Sequence, residues 1–128
     1  MDYYISTKVG FTFDKTVELV KEELKKEGFG VLTEIDVRDT LKKKLDVDFR
    51  NYRILGACNP PFAYKALQAE EKIGLLLPCN IIVQEQADGT VDVAAIDPAA
   101  SMQTVGNSAL TEIAAQVRQK LQSVIARL

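Results

Sequence analysis

Apolar and polar positions follow two different periods along this chain, and the switches between them mark its elements. The opening stretch from Tyr3 to Val9, rich in Tyr, Ile, Thr and Val, predicts a strand. Phe13, Val17, Val20 and Leu24 then recur at helical spacing, with Thr12 or Asp14 placed to cap the helix. Its opposite side is charged, Glu22 and Lys26 are spaced to pair at i,i+4, and Gly28 and Gly30 end it. Val31, Thr33, Ile35 and Val37 alternate with Glu34, Asp36 and Arg38, the period-2 pattern of a strand with one face in water. Leu41 and Leu45 enclose Lys42, Lys43 and Lys44 in a short helical connection.

Tyr52 to Ala57 reads as a third strand that turns into a helix at a well-marked point. Asn59 is a preferred N-cap, Pro60 fits the first helical position and Pro61 is still within the first turn, so this helix should run to about Glu71. Leu75, Leu76 and Leu77 form an apolar run too short to assign by period. The segments Cys79 to Gln86 and Thr90 to Asp97 predict a hairpin around Asp88-Gly89. A two-residue turn would pair Gln84 with Val93 and set a polar residue on an apolar face, which leaves open both the register and the face carrying Cys79. Asp97-Pro98 ends the hairpin. Asn107 or Ser108 caps a last helix whose stripe is Leu110, Ile113, Val117, Leu121 and Ile125, widened by Ala114 and Val124. The order is β-α-β-(short α)-β-α-β-β-α, an α+β fold in a single domain spanning 1–128.

Composition narrows the function classes. Lys and Arg number 16 against 18 Asp and Glu, and the balance is near even in both parts of the chain, so the surface gives no electrostatic reason to bind nucleic acid or an anionic membrane. MDYYISTKVG has an early acid, no basic lead and no apolar core of signal-peptide length, so a cytoplasmic location with reduced thiols is expected. There is no histidine, which excludes Ser-His and Cys-His nucleophilic pairs and any imidazole metal site. Two cysteines fall short of a structural zinc set, and neither GxGxxG nor GxxxxGK occurs. No metal and no cofactor are expected, and catalysis is disfavoured.

Whatever specific chemistry the chain carries is concentrated between Tyr52 and Asn80, which holds both cysteines, three of the four prolines and two Cys-Asn pairs. Three readings are open. Cys58 and Cys79 can be small buried hydrophobes at strand ends, where most free cysteines are found. Cys58 can be a reactive thiol just ahead of a helix N-terminus, whose positive end lowers a nearby thiol pKa. The same helix start can hold a small anion or polar ligand oriented by Asn59 and Asn80, with Tyr64 and Lys65 within reach. Glu70 and Glu71 are adjacent and point apart, Asp97 before Pro98 reads as a turn residue, and the triple lysine, flanked by Asp39, Asp46 and Asp48, reads as a solvated face.

YRILGACNPPFAYKAL, then IGLLLPCNIIV, then VAAIDPAASM, together resemble the bacterial and archaeal family DUF302, and the resemblance covers nearly the whole chain. It implies a fold similar to one half of the TATA-binding protein, a curved antiparallel sheet of about five strands with helices packed on it. It also implies a homodimer. With an antiparallel sheet, Cys58 and Cys79 become neighbours. The expected partner is a second copy of the chain, with Phe62, Tyr64, Leu75, Leu76 and Leu77 as candidate contacts. The expected function is a small homodimeric binding or interaction module. The alternative is a thiol-dependent redox or sulfur-transfer protein using Cys58 and possibly Cys79.

Overall fold

Each end of the first helix is sealed by residues that the sequence placed there. The computed structural model describes residues 2–128. Strand β1 (Tyr4–Val9) leads to α1 (Phe13–Lys26), where the Lys15 N–H donates to Thr12 Oγ1 at 3.2 Å. At the far end Gly28 takes φ 84°, and the N–H groups of Gly28 and Phe29 return to the carbonyls of Lys25 and Leu24. This paired closure needs a left-handed residue, which glycine supplies without strain. Lys26 pairs with Glu23 at 2.8 Å, one residue along from the expected Glu22, and Glu23 is also held by Arg127 from the last helix.

The remaining elements are β2 (Gly30–Asp36), α2 (Val37–Leu45), β3 (Tyr52–Cys58), α3 (Pro60–Ala69), a 3-10 turn (Glu71–Leu76), β4 (Cys79–Glu85), β5 (Val91–Ile96), α4 (Pro98–Gln103) and α5 (Ala109–Ala126). The predicted order holds, with two additions: the 3-10 turn and α4. Asp97 creates α4, accepting from the Ala99 N–H at 3.0 Å while Pro98 fills the first position, and it is buried against Arg118 of α5 at 2.9 Å. Asn107, rather than Ser108, supplies the side-chain cap of α5, accepting from the Ala109 N–H at 3.0 Å.

The five strands form one antiparallel sheet in the order β1-β5-β4-β3-β2. The hairpin register is set by a three-residue loop, Ala87-Asp88-Gly89: Gln86 and Thr90 still bond across it, and Gly89 takes φ 88°. Val83 therefore faces Val93 and Gln84 faces Asp92, so the mismatch of Gln84 with Val93 never arises. Leu55, Ile81, Val83, Val91, Val93 and Ala95 form the covered face and are buried against Val17, Val20 and Leu24 of α1 and Leu121 and Val124 of α5. Each of these Val, Leu and Ile side chains contributes on the order of 1.5–3 kcal/mol on leaving water. A second, smaller cluster of Ala66, Ile73, Met102, Leu110 and Ala114 joins α3, the 3-10 turn, α4 and α5 beside the sheet.

The edge strand β2 departs from its expected half-buried pattern. A bulge at Leu32 breaks the pairing between Val31 and Thr33, leaving Leu32 68% and Ile35 46% exposed. Such bulges disfavour edge-to-edge pairing. In α2, Lys43 pairs with Asp39 at 2.9 Å and Lys42 reaches Asp46 at 3.1 Å and Asp48 at 3.4 Å, so two of the three lysines are matched by the acidic flanks.

Candidate functional site

The junction of β3 and α3 is built from Cys58, Asn59, Pro60 and Pro61, and it does not behave as an ordinary helix start. Asn59 occupies the N-cap position but makes no side-chain cap bond. Its amide is buried and donates across the fold to the Glu27 carbonyl at 3.1 Å, pinning the end of α1 to the start of α3. Pro60 and Pro61 remove two of the N–H groups that a helix start normally offers, and the Ala63 N–H is taken by the Asn59 carbonyl at 2.9 Å. A site for a small anion at this helix end therefore lacks most of the donors such a site needs.

The antiparallel pairing of β3 with β4 sets Ala57 opposite Cys79, so Cys58 is one residue from Cys79's partner and the two cysteines are neighbours, as the meander requires. Both are free thiols, Cys79 buried and Cys58 half-buried. Cys79 shares the covered face with Ile81 and Val83; burial, reinforced by the proximity of Cys58, pushes its thiol up to about 11. Strand alternation sends Asn80 to the opposite, uncovered face, where it is exposed and takes no part with Asn59. The two asparagines that the small-anion reading would bring together thus lie apart, Asn80 on the uncovered face of the sheet.

Cys58 and Cys79 open onto a cavity of about 330 Å³. Phe62, Ala63, Ala66 and Leu67 of α3 form one wall, Ile113 and Val117 of α5 with Met102 of α4 another, and Leu77, Pro78 and Phe29 close it, with Leu32 at the edge. Apart from the thiols and Asn59, this lining is aliphatic or aromatic. Gly56 allows the Pro78 wall: a Cβ there would lie 2.8 Å from Pro78 Cγ and 2.2 Å from Thr33 Oγ1, so any side chain would force the two strands and the proline apart. A larger cleft of about 640 Å³ lies on the uncovered sheet face, among Tyr4, Lys8, Tyr52, Asn80, Gln84 and Asp92. Within it Gln84 accepts from Arg50 Nε at 2.9 Å and donates to Asp92 at 3.0 Å. Among the described residues, no group of three Cys, Asp or Glu side chains is placed to hold a metal ion. None of their helices is long and apolar enough to cross a membrane.

A model of the family DUF302, a domain of unknown function, matches residues 5–128. The chain belongs to DUF302. An uncharacterized conserved DUF302 protein from Bacillus stearothermophilus has the same fold in its crystal structure, with a TM-score of 0.93 and 31% identity over 99% of this chain and 98% of that one. No curated protein matches the chain.

In this DUF302 chain the five apolar residues expected at an interface divide. Tyr64 is 65% exposed, Leu75 85% and Leu76 39%. Leu77 instead packs on the second core cluster, and Phe62 packs on the main core while lining the cavity. The cavity residues that sequence alone did not single out are Leu32, Leu67, Met102, Ile113 and Val117. Leu32 carried a signal, as the one apolar residue out of phase in the β2 alternation; Ile113 and Val117 were legible only as core positions of the last helix.

Proposed function

We propose that this DUF302 chain is a binding module whose cavity between α3, α5 and the ends of β3 and β4 takes one small, predominantly apolar molecule. The observation carrying the reading is that the chain leaves this apolar space of about 330 Å³ unfilled by its own side chains. Small-molecule sites typically enclose about 300–1,000 Å³ of mostly apolar lining with a few polar groups, and here those groups are the two thiols and Asn59. Two features weigh against the thiol-dependent redox or sulfur-transfer alternative. Cys79 is a neutral thiol at neutral pH, and the prolines strip the helix start ahead of Cys58 of the amides that activate a thiol.

A second reading, of a homodimer, rests on the exposed leucines. Leu75 and Leu76 lie on the 3-10 turn between Gly74 and Leu77 of the cavity wall, Leu77 capping the turn, and Leu67 at the rim is 44% exposed. A second copy covering these groups shields them from water and narrows the cavity mouth.

Titration with N-phenyl-1-naphthylamine, a neutral fluorophore that brightens out of water, tests the binding reading. Saturable brightening at one site per chain is expected, with its loss in Ala63→Phe, a side chain sized to fill the cavity, while the unfolding temperature is maintained. No brightening with the wild-type chain, or binding untouched in a folded Ala63→Phe variant, overturns it.

A further inference from the structure

Phe62 belongs to two concavities at once. One edge of its ring lines the apolar cavity, and it also lines an adjoining surface groove of about 530 Å³ formed with Glu27, Gln116, Gln119, Lys120 and Ser123. Two cations converge on this ring: Lys65 Nζ lies 5.5 Å and Lys120 Nζ 5.9 Å from its centroid. Neither lysine has an ion-pair partner among the described residues, which is also true of Lys8, Lys15, Lys25, Lys44 and Lys72; what sets Lys65 and Lys120 apart is their shared approach to Phe62 beside the cavity. The acid of the groove, Glu27, is engaged by Arg127 at 3.1 Å, which also holds Glu23. An apolar hole therefore adjoins a polar groove lined by Lys120, and Lys65 reaches the same Phe62 ring that divides the two.

We infer that the cavity's ligand is an amphiphile with an anionic head: its apolar body enters the cavity past Phe62 and its carboxylate stays in the groove beside Lys65 and Lys120. This rests on the binding reading above and adds the class of molecule. Charge complementarity is the argument, since apolar surface accounts for affinity for any apolar body and only the lysine pair distinguishes an acid from an alcohol of the same length. Both lysines are at the surface, where a single charge pair changes affinity by less than about tenfold, so the pair together corresponds to roughly a two- to thirtyfold preference that weakens with salt.

The test is displacement of N-phenyl-1-naphthylamine by decanoate and by 1-decanol, at low and at physiological salt. It uses the wild-type chain, a Lys65→Ala/Lys120→Ala variant and a Lys65→Arg/Lys120→Arg variant. The expected result is that decanoate displaces the fluorophore at a roughly two- to thirtyfold lower concentration than decanol. That advantage should shrink with salt, vanish in the alanine variant and return in the arginine variant, with decanol unchanged throughout. Equal potency of acid and alcohol, or an advantage that survives in the alanine variant, overturns this inference and leaves an apolar site standing. Failure of the fluorophore and of both competitors to bind overturns the binding reading and this inference with it.

Discussion

Cys79 and Cys58 face the same cavity from adjacent strands, yet their surroundings assign them different chemistry. Cys79 is buried among Ile81, Val83 and the helices, and with its thiol pushed up to about 11 it has almost no thiolate at pH 7. Iodoacetamide at neutral pH should therefore modify Cys58 first and leave Cys79 intact until the chain unfolds, as read by mass spectrometry of peptides at successive times. Rapid modification of Cys79 in the folded chain contradicts this. The adjacency of the two thiols was legible in the sequence once the sheet was taken as antiparallel. The role of Asn59 was not: its N-cap position is local, but the partner it chooses, the Glu27 carbonyl, lies 32 residues away and exists only when α1 has docked. Asn80 was misread for a related reason, because the face of β4 on which it lies depends on a register that local residues left open.

At the scale of elements, strong periodicity was sufficient and weak periodicity was not. The apolar stripes of α1 and α5 and the alternation in β4 and β5 found their partners as read. The hairpin register turned on whether Asp88-Gly89 forms a two- or three-residue loop, and the decision came from packing: only the longer loop places Val83 and Val93 together on the covered face. The 3-10 turn and α4 are six residues each, too short to show a period, although Asp97-Pro98 was a helix-start signal read as a turn alone. The exposed edge β2 is fastened instead by charge. Glu34 bonds to Lys21 of α1 at 2.7 Å and to Arg53 of β3 at 2.6 Å, and the Lys21 hydrogen bond above all, with help from Arg53, holds its carboxyl below the usual carboxylate range. A depressed folded-state pKa contributes stability above the ordinary value of about 4.3, and that contribution is lost as pH falls through the folded one. Glu34→Gln should accordingly unfold more easily than wild type at pH 7, by up to about 1 kcal/mol, with the two converging below about pH 4 in urea titrations. A difference that persists undiminished at pH 3 contradicts the ion-pair account.

For the whole molecule, the DUF302 architecture explains where the unoccupied space comes from. Helices α1 and α5 cover the sheet centre, while α3, the 3-10 turn and α4 build a second cluster beside it, and the cavity is the seam between the two clusters. Leu75 stands 85% exposed at that seam, so Leu75→Asp should leave the unfolding temperature of an isolated chain nearly unchanged. If the seam is a two-fold contact, sedimentation at micromolar concentration will report twice the chain mass for wild type and one chain mass for the variant; a wild-type monomer rules out the dimer. The seam's central role as a ligand site is tested most directly by methyl-resolved NMR of the folded chain during addition of decanoate. The account predicts saturating shifts at Ala63, Ala66, Leu67, Met102 and Val117, with Ile54, Ile82 and Ala94 of the uncovered sheet face unmoved. Shifts confined to that open face, or none at all, would contradict it.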